Sequence, residues 1–298
     1  WDNLCIINLF FICFYNAKYK MINYKFIVLF LFLFNLSVSS CSNFDEETEN
    51  GPQCLKDTSG NGYNISGAVK DGMTGDNLSS SLRLYSSEGM FCDNSTTTTI
   101  SAFSFSDLSS GNYVIKGSVN GYSDINEKIN VDSSYSAQNI YTIKSIYSTN
   151  RIAIILSWGD KSSGAPKDID AYLKSNTGNT INYNNKNDTS GDNFSVWAYL
   201  DIDDTDYSGP ETISVNTSNK QLKDNLTKIC FYANIYSAGT WSNTKAVVQY
   251  WKNGLLVEKF YAPSNSSSGY KWWNVFQLDQ SLNLSNGSGV ANAEISSC

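Results

Sequence analysis

Short runs of alternating apolar and polar residues, separated by clusters of Gly, Asn, Asp and Ser, fill the chain from Tyr63 onward. A period of two puts successive side chains on opposite faces of a strand, and no stretch here sustains the period of an amphipathic helix. Ile65, Gly67 and Val69 share one face, and Asp71-Gly72-Met73-Thr74-Gly75 forms a turn. Leu82, Leu84 and Ser86 alternate again. Ile100, Phe103 and Phe105 lead to a turn at Asp107–Gly111, followed by strands through Tyr113, Ile115 and Gly117, then Ile129–Val131 and Ile140–Ile143. The second half continues with strands at Arg151–Trp158, Asp168–Leu173, Ile229–Ile235, Ala246–Trp251, Leu255–Tyr261 and Lys271–Leu278. Asn253-Gly254 is a strong hairpin signal between two of them. The fold class this predicts is all-β, with two sandwich or jelly-roll-like domains at 63–145 and 146–298.

The stretch before the strands has another texture. Met21 opens a segment with Lys25, an unbroken apolar run from Phe26 to Phe34, and Leu36-Ser37-Val38-Ser39-Ser40-Cys41. That is the layout of a secretory signal peptide over 21–40, and the run is too short to span a bilayer. Val38-Ser39-Ser40-Cys41 resembles the lipobox of bacterial lipoproteins, in which the cysteine is lipidated. The resemblance implies a lipid anchor on Cys41 and a bacterial cell envelope setting, at the outer membrane and exposed on the surface. Residues 1–20 precede a complete signal, so translation is expected to begin at Met21. Residues 41–62, with Asp45-Glu46-Glu47-Thr48-Glu49, read as an acidic tether.

The chain carries 21 Lys and Arg against 28 Asp and Glu. Removal of Lys18, Lys20, Lys25 and Asp2 with the first 40 residues leaves 18 basic and 27 acidic residues, a net charge of −9. Such a balance excludes nucleic acid as the expected partner and leaves membrane attachment to the lipid. Histidine is absent, which removes the commonest general base, the commonest zinc ligand and every His-dependent triad. No catalytic residues are assigned. The enzymatic alternative is a carboxylate-dependent glycosidase, whose two acids must flank a sugar-wide cleft.

Four cysteines follow Cys41: Cys54, Cys92, Cys230 and Cys298. Three pairings are open in principle. Two cysteines per domain make Cys54–Cys92 and Cys230–Cys298 the economical choice, each worth on the order of 3–4 kcal/mol in the chain-entropy model. Four buried free thiols are the alternative.

Ile65-Ser66-Gly67-Ala68-Val69, Thr74-Gly75, Phe105-Ser106-Asp107-Leu108, Gly111-Asn112-Tyr113 and Gly121-Tyr122 together resemble the carboxypeptidase regulatory-like domain. The resemblance implies a transthyretin-like sandwich that spaces or presents other modules and supplies no catalytic residues. In the second half, Trp158, Pro166-Lys167-Asp168-Ile169-Asp170-Ala171-Tyr172-Leu173, Leu200-Asp201-Ile202-Asp203-Asp204, Gly209-Pro210-Glu211-Thr212-Ile213 and Trp273-Asn274-Val275-Phe276 resemble a bacterial surface-protein domain of unknown function. Tyr172 stands where that family often has His.

The acids of the second half carry the sharpest chemical expectation. Asp168 and Asp170 share a strand face, as do Asp201 and Asp203. With Asp204 and Glu211 they offer the all-oxygen donor set that Ca2+ takes, so calcium is the one candidate cofactor. Solvated loop acids that cap turns and guard strand edges are the plainer alternative. Trp272 and Trp273 are adjacent on a strand and must face opposite ways, one into the core and one toward a ligand that stacks on it. The expected function is a lipid-anchored, non-catalytic binding or structural module whose partner is a glycan, a host protein or another envelope protein.

Overall fold

The computed structural model describes residues 54, 56–98, 100, 102–132, 134, 139–186, 196–220, 222, 226–264, 269–294 and 298. The signal-like stretch 21–40, Cys41 and the acidic cluster 45–49 lie outside the described residues. The protein is all-β. Among the described residues no helix is long and apolar enough to cross a membrane.

The first group of strands runs from β1 (Tyr63–Gly67) through β2 (Val69–Asp71), β3 (Ser80–Ser86), β4 (Phe91–Thr97), β5 (Phe103–Leu108), β6 (Gly111–Ser118) and β7 (Ile125–Val131) to β8 (Ile140–Thr142). Four of them form an antiparallel sheet in the order β4-β3-β6-β7, while β1 pairs with β5 and β2 runs parallel to β8. The alternation has the expected consequence: Ile65, Val69, Leu82, Leu84, Phe103, Phe105 and Ile115 meet in one core. Ile100 departs from it. Rather than leading into the strand it is 94% exposed, because β5 begins only at Phe103. Cys54 and Asp57, from the stretch read as a tether, are fastened to this body. The Cys54–Cys92 disulfide and backbone bonds from Cys54 to Phe91 and from Asp57 to Asp107 hold them there.

The second group comprises β9 (Arg151–Ser157), β10 (Ile169–Ser175), β11 (Thr180–Ile181), β12 (Ala198–Ile202), β13 (Glu211–Asn216), β14 (Lys228–Ile235), β15 (Val247–Lys252), β16 (Leu255–Tyr261), β17 (Trp272–Asp279) and β18 (Leu284–Ala291). Two five-stranded sheets, β11-β10-β14-β17-β18 and β12-β13-β9-β15-β16, enclose the larger core. Ile154, Leu173, Trp197, Ile213, Phe231, Trp241, Tyr250 and Phe276 are all buried in it. The Asn253-Gly254 turn joins β15 to β16 with both residues at positive φ, 52° and 81°, as a tight hairpin demands. The second disulfide ties Cys298 back to Cys230 on β14.

A third, smaller apolar cluster joins the two bodies: Met73, Tyr141 and Ile143 from the first pack on Ala153, Ile155 and Trp251 from the second. Polar contacts fasten the same junction. The Thr212 hydroxyl donates to the Gly72 carbonyl at 2.6 Å, the Ser123 hydroxyl donates to the Gly254 carbonyl at 2.7 Å, and Lys259 pairs with Glu127.

Candidate metal centre

The site begins with an unfinished strand edge. β11 pairs with β10 only at Leu173 and Lys174, so among the described residues the first half of β10 has no strand neighbour on that side. An unpaired strand N–H withdrawn from water is costly unless an acceptor meets it. Glu211, the first residue of β13 in the opposite sheet, supplies one: the Ala171 N–H donates to Glu211 Oε2 at 2.5 Å. Glu211, Ile213 and Val215 alternate toward the sandwich interior, which carries the carboxylate to the end of the core.

Asp168 and Asp170 lie just before Ala171, two residues apart. One carboxylate oxygen from each of Asp168, Asp170 and Glu211 lies within 4.8 Å of the others. Glu211 is 1% exposed and Asp170 4% exposed, while Asp168 is partly open to water. Each keeps a buried oxygen with no hydrogen-bond partner: Asp168 Oδ1, Asp170 Oδ2 and Glu211 Oε1. Among the described residues no Lys or Arg forms an ion pair with any of the three.

Burial and mutual repulsion disfavour charge here. Burial first, then the charges of Asp168 and Asp203, push the Asp170 carboxyl up to about 7. Burial holds Glu211 well above the carboxylate range, against the lowering effect of its bond from Ala171. Asp168 is raised by burial and by Asp203 and Asp204, with Lys167 opposing.

The remaining acids of the sequence reading fall around this triad rather than in it. Asp203 lies just past the end of β12, its Oδ2 paired with Lys186 at 2.9 Å. Asp204 accepts the Asp206 N–H at 2.9 Å, and burial raises its carboxyl. Asp201 does not join, and it does not share a role with Asp203. A β-bulge between Leu200 and Ile202 breaks the alternation. Asp201 instead accepts from the Ser214 hydroxyl at 2.7 Å, on the outward side of β13. Burial pushes its carboxyl up to about 6 even so, with Arg151 pulling the other way.

On the outer face of the β10 sheet, aromatic rings run in contact. Trp272 and Tyr172 have centroids 4.7 Å apart, Tyr172 and Tyr183 6.3 Å, and Tyr183 and Tyr236 6.2 Å. Tyr172 is buried, Trp272 partly so, and Tyr236 is 66% exposed. Trp273, the neighbour of Trp272, is core: it is buried edge-on against Trp241. Tyr183 and Tyr236 escape a strand-based reading because both lie in loops, where periodicity carries no information. A groove of about 740 Å³ lies elsewhere, beside Tyr113, Glu127 and Lys259, and none of these acids lines it.

A scan against protein-family models finds no match, so the two family resemblances rest on their quoted residues alone. A search of curated proteins finds none either. Solved structures do give likenesses. Two are of BcpA, the major pilin subunit of Bacillus cereus, one of them a D312A variant. They are 8% and 9% identical, cover 66% of this chain and 66% and 67% of theirs, and have TM-scores of 0.28 and 0.27. A third is a candidate carbohydrate-binding protein from Bacteroides uniformis, 12% identical over 67% of this chain and 96% of its own, with a TM-score of 0.24. Likenesses of this size say nothing about ligand or activity.

Proposed function

We propose that this chain is a non-catalytic binding module of a bacterial cell envelope, tethered through a lipid on Cys41, that presents the Trp272–Tyr172–Tyr183–Tyr236 strip to glycan. The observation that carries the proposal is the strip itself. It is a continuous row of rings whose far end is open to water. Ring faces that combine apolar area with a polar rim suit the faces of pyranose sugars, and rigid aromatics bind at low entropic cost. The Lys174 ammonium, paired with Glu294, lies on the same side of β10 as Tyr172.

The arrangement of acids favours binding over hydrolysis. Retaining and inverting glycosidases hold their two carboxyls about 5–5.5 Å or 6.5–9.5 Å apart across an open cleft. Asp170 and Glu211 are instead drawn together and shut away from solvent.

A glycan array probed with the full chain in detergent tests the proposal. Wild-type protein should retain one class of polysaccharide, and Trp272→Ala and Tyr236→Ala should each weaken it at least tenfold with little change in melting temperature. No retention on plant, host or bacterial glycans, or retention indifferent to both substitutions, overturns it. The tether is tested separately: palmitate labelling in a bacterial host should be lost in Cys41→Ala.

A further inference from the structure

We infer that Asp168, Asp170 and Glu211 form a calcium site that clasps the two sheets of the larger sandwich at one end. This goes beyond the binding proposal and stands apart from it.

A cluster of acids alone would say little, since acids gather on many surfaces. This one differs in being buried and incomplete. Asp170 and Glu211 are more than nine-tenths enclosed, and each keeps an oxygen with no hydrogen-bond partner among the described residues. Removing a carboxylate from water without a partner is among the most expensive acts in a fold. Edge capping accounts for one oxygen of Glu211, the one that receives the Ala171 N–H. It leaves the other oxygen and both aspartates unexplained. A divalent cation supplies what all three lack.

Donor type and spacing select the ion. The donors are all oxygen, which suits hard cations, and the chain has no histidine to recruit softer ones. Oxygens bound to one calcium at 2.3–2.6 Å stand at most about 5 Å apart, and the three carboxylates meet that limit at 4.8 Å. Magnesium gives up its waters reluctantly, which disfavours it where two of three ligands are dry. Asp168, the one partly open member, leaves an entry path and room for water to complete the shell.

The mechanical consequence follows from where the ligands sit. Asp168 immediately precedes β10, Asp170 is the second residue of that strand and Glu211 is the first of β13, in the opposite sheet. One ion bonded to all three replaces repulsion between the sheets with a bridge. The next residue on β13, Thr212, holds the carbonyl of Gly72 in the first body, so the bridge lies one residue from the junction.

The test uses the full chain in detergent, stripped with chelator and then titrated with calcium chloride by calorimetry and by thermal melting. One calcium per chain should bind, with a Kd at or below about 10⁻³ M. A hundredfold excess over Kd should raise Tm by roughly 5–10 °C. Magnesium at the same concentration should raise it less. Asp170→Asn and Glu211→Gln should each abolish the calcium-dependent shift, whereas Asp93→Asn, an acid of the first body, should keep it. If both isosteric variants fail to fold, Asp168→Asn, at the open side, should weaken binding at least tenfold. No heat and no shift at 10 mM calcium overturns the inference. A wild-type shift that persists in the folded triad variants overturns it as well. Glycan binding is a separate readout, so either proposal can fail alone.

Discussion

Gly72→Ala is a one-methyl test of whether the two bodies are packed as one. Gly72 has no positive φ, so its backbone suits any residue, and alanine there would ordinarily stabilise by about 0.4–1 kcal/mol through the unfolded chain. Space decides otherwise. A Cβ at position 72 would stand 2.3 Å from Ile155 Cδ1, across the junction, with Ile155 Cγ1 at 3.3 Å and Ile143 Cγ2 at 3.4 Å. Ile155 is fully buried on β9, the middle strand of its sheet, with Met73, Tyr141 and Trp251 around it. It has nowhere cheap to go, and overpacking of this kind costs about 1–3 kcal/mol. Ile155→Val removes the offending Cδ1 and by itself costs about 0.5–1.5 kcal/mol. The double variant should therefore be close to Ile155→Val alone, a coupling of about 1–3 kcal/mol between residues in different bodies. Thermal or urea unfolding of the parent, both single variants and the double closes the cycle. If Gly72→Ala alone melts at or above the parent, or if the two costs add within about 0.5 kcal/mol, the junction is not packed as described.

Three further outcomes follow from the same contacts. Replacing both Cys230 and Cys298 by Ala opens a 68-residue separation and should cost on the order of 4 kcal/mol in chemical denaturation; an unchanged midpoint would show that the bridge contributes nothing. Trp273→Ala removes a buried ring packed on Trp241 and should cost about 3–5 kcal/mol. Trp272→Ala loses mainly its contact with Tyr172, worth about 0.5–1.5 kcal/mol, and equal losses would contradict the opposite facing of the pair. Burial pushes the folded Asp201 carboxyl up to about 6, above the ordinary 3.8 of an aspartate. The native state therefore holds the proton more tightly, and stability falls as pH rises through that window. Parent minus Asp201→Asn stability should decline by up to about 2.4 kcal/mol from pH 4 to 7, and a flat difference refutes the assignment.

What was legible in the sequence was what burial and turn chemistry write most strongly. The all-β class, the core faces of β3, β5 and β9, the Asn253-Gly254 hairpin and both disulfides follow from alternation, positive-φ residues and cysteine placement. Strands without an apolar face stayed hidden. β4 runs Phe91-Cys-Asp-Asn-Ser-Thr-Thr and β18 runs Leu284-Ser-Asn-Gly-Ser-Gly-Val-Ala, and both are sheet edges with little to bury. β11 has only two residues, too few for any period. The acids were legible as a supply of oxygens but not as a geometry. Strict alternation sets Asp201 beside Asp203, and one bulged residue undoes it. Glu211 lies 40 residues from its partner Ala171, and only the topology brings it to the β10 edge.

That edge also separates two accounts of the same residues. If Glu211 served only to guard an unpaired N–H, one acceptor atom would be enough, and a glutamine could provide it without placing charge beside Asp168 and Asp170. The fold would then gain by shedding the two aspartates, since each adds repulsion and each leaves an oxygen unsatisfied. Guarding thus explains why some acceptor stands at position 211 but makes its charged neighbours a pure cost. Bridging by a cation turns the same three charges into ligands and leaves Glu211 Oε2 free to hold Ala171, so one side chain closes the strand edge and joins the sheets. The two accounts part in the sign of one substitution. Glu211→Gln should stabilise the protein with or without calcium if repulsion is all the triad does, and destabilise it in calcium if an ion completes the site.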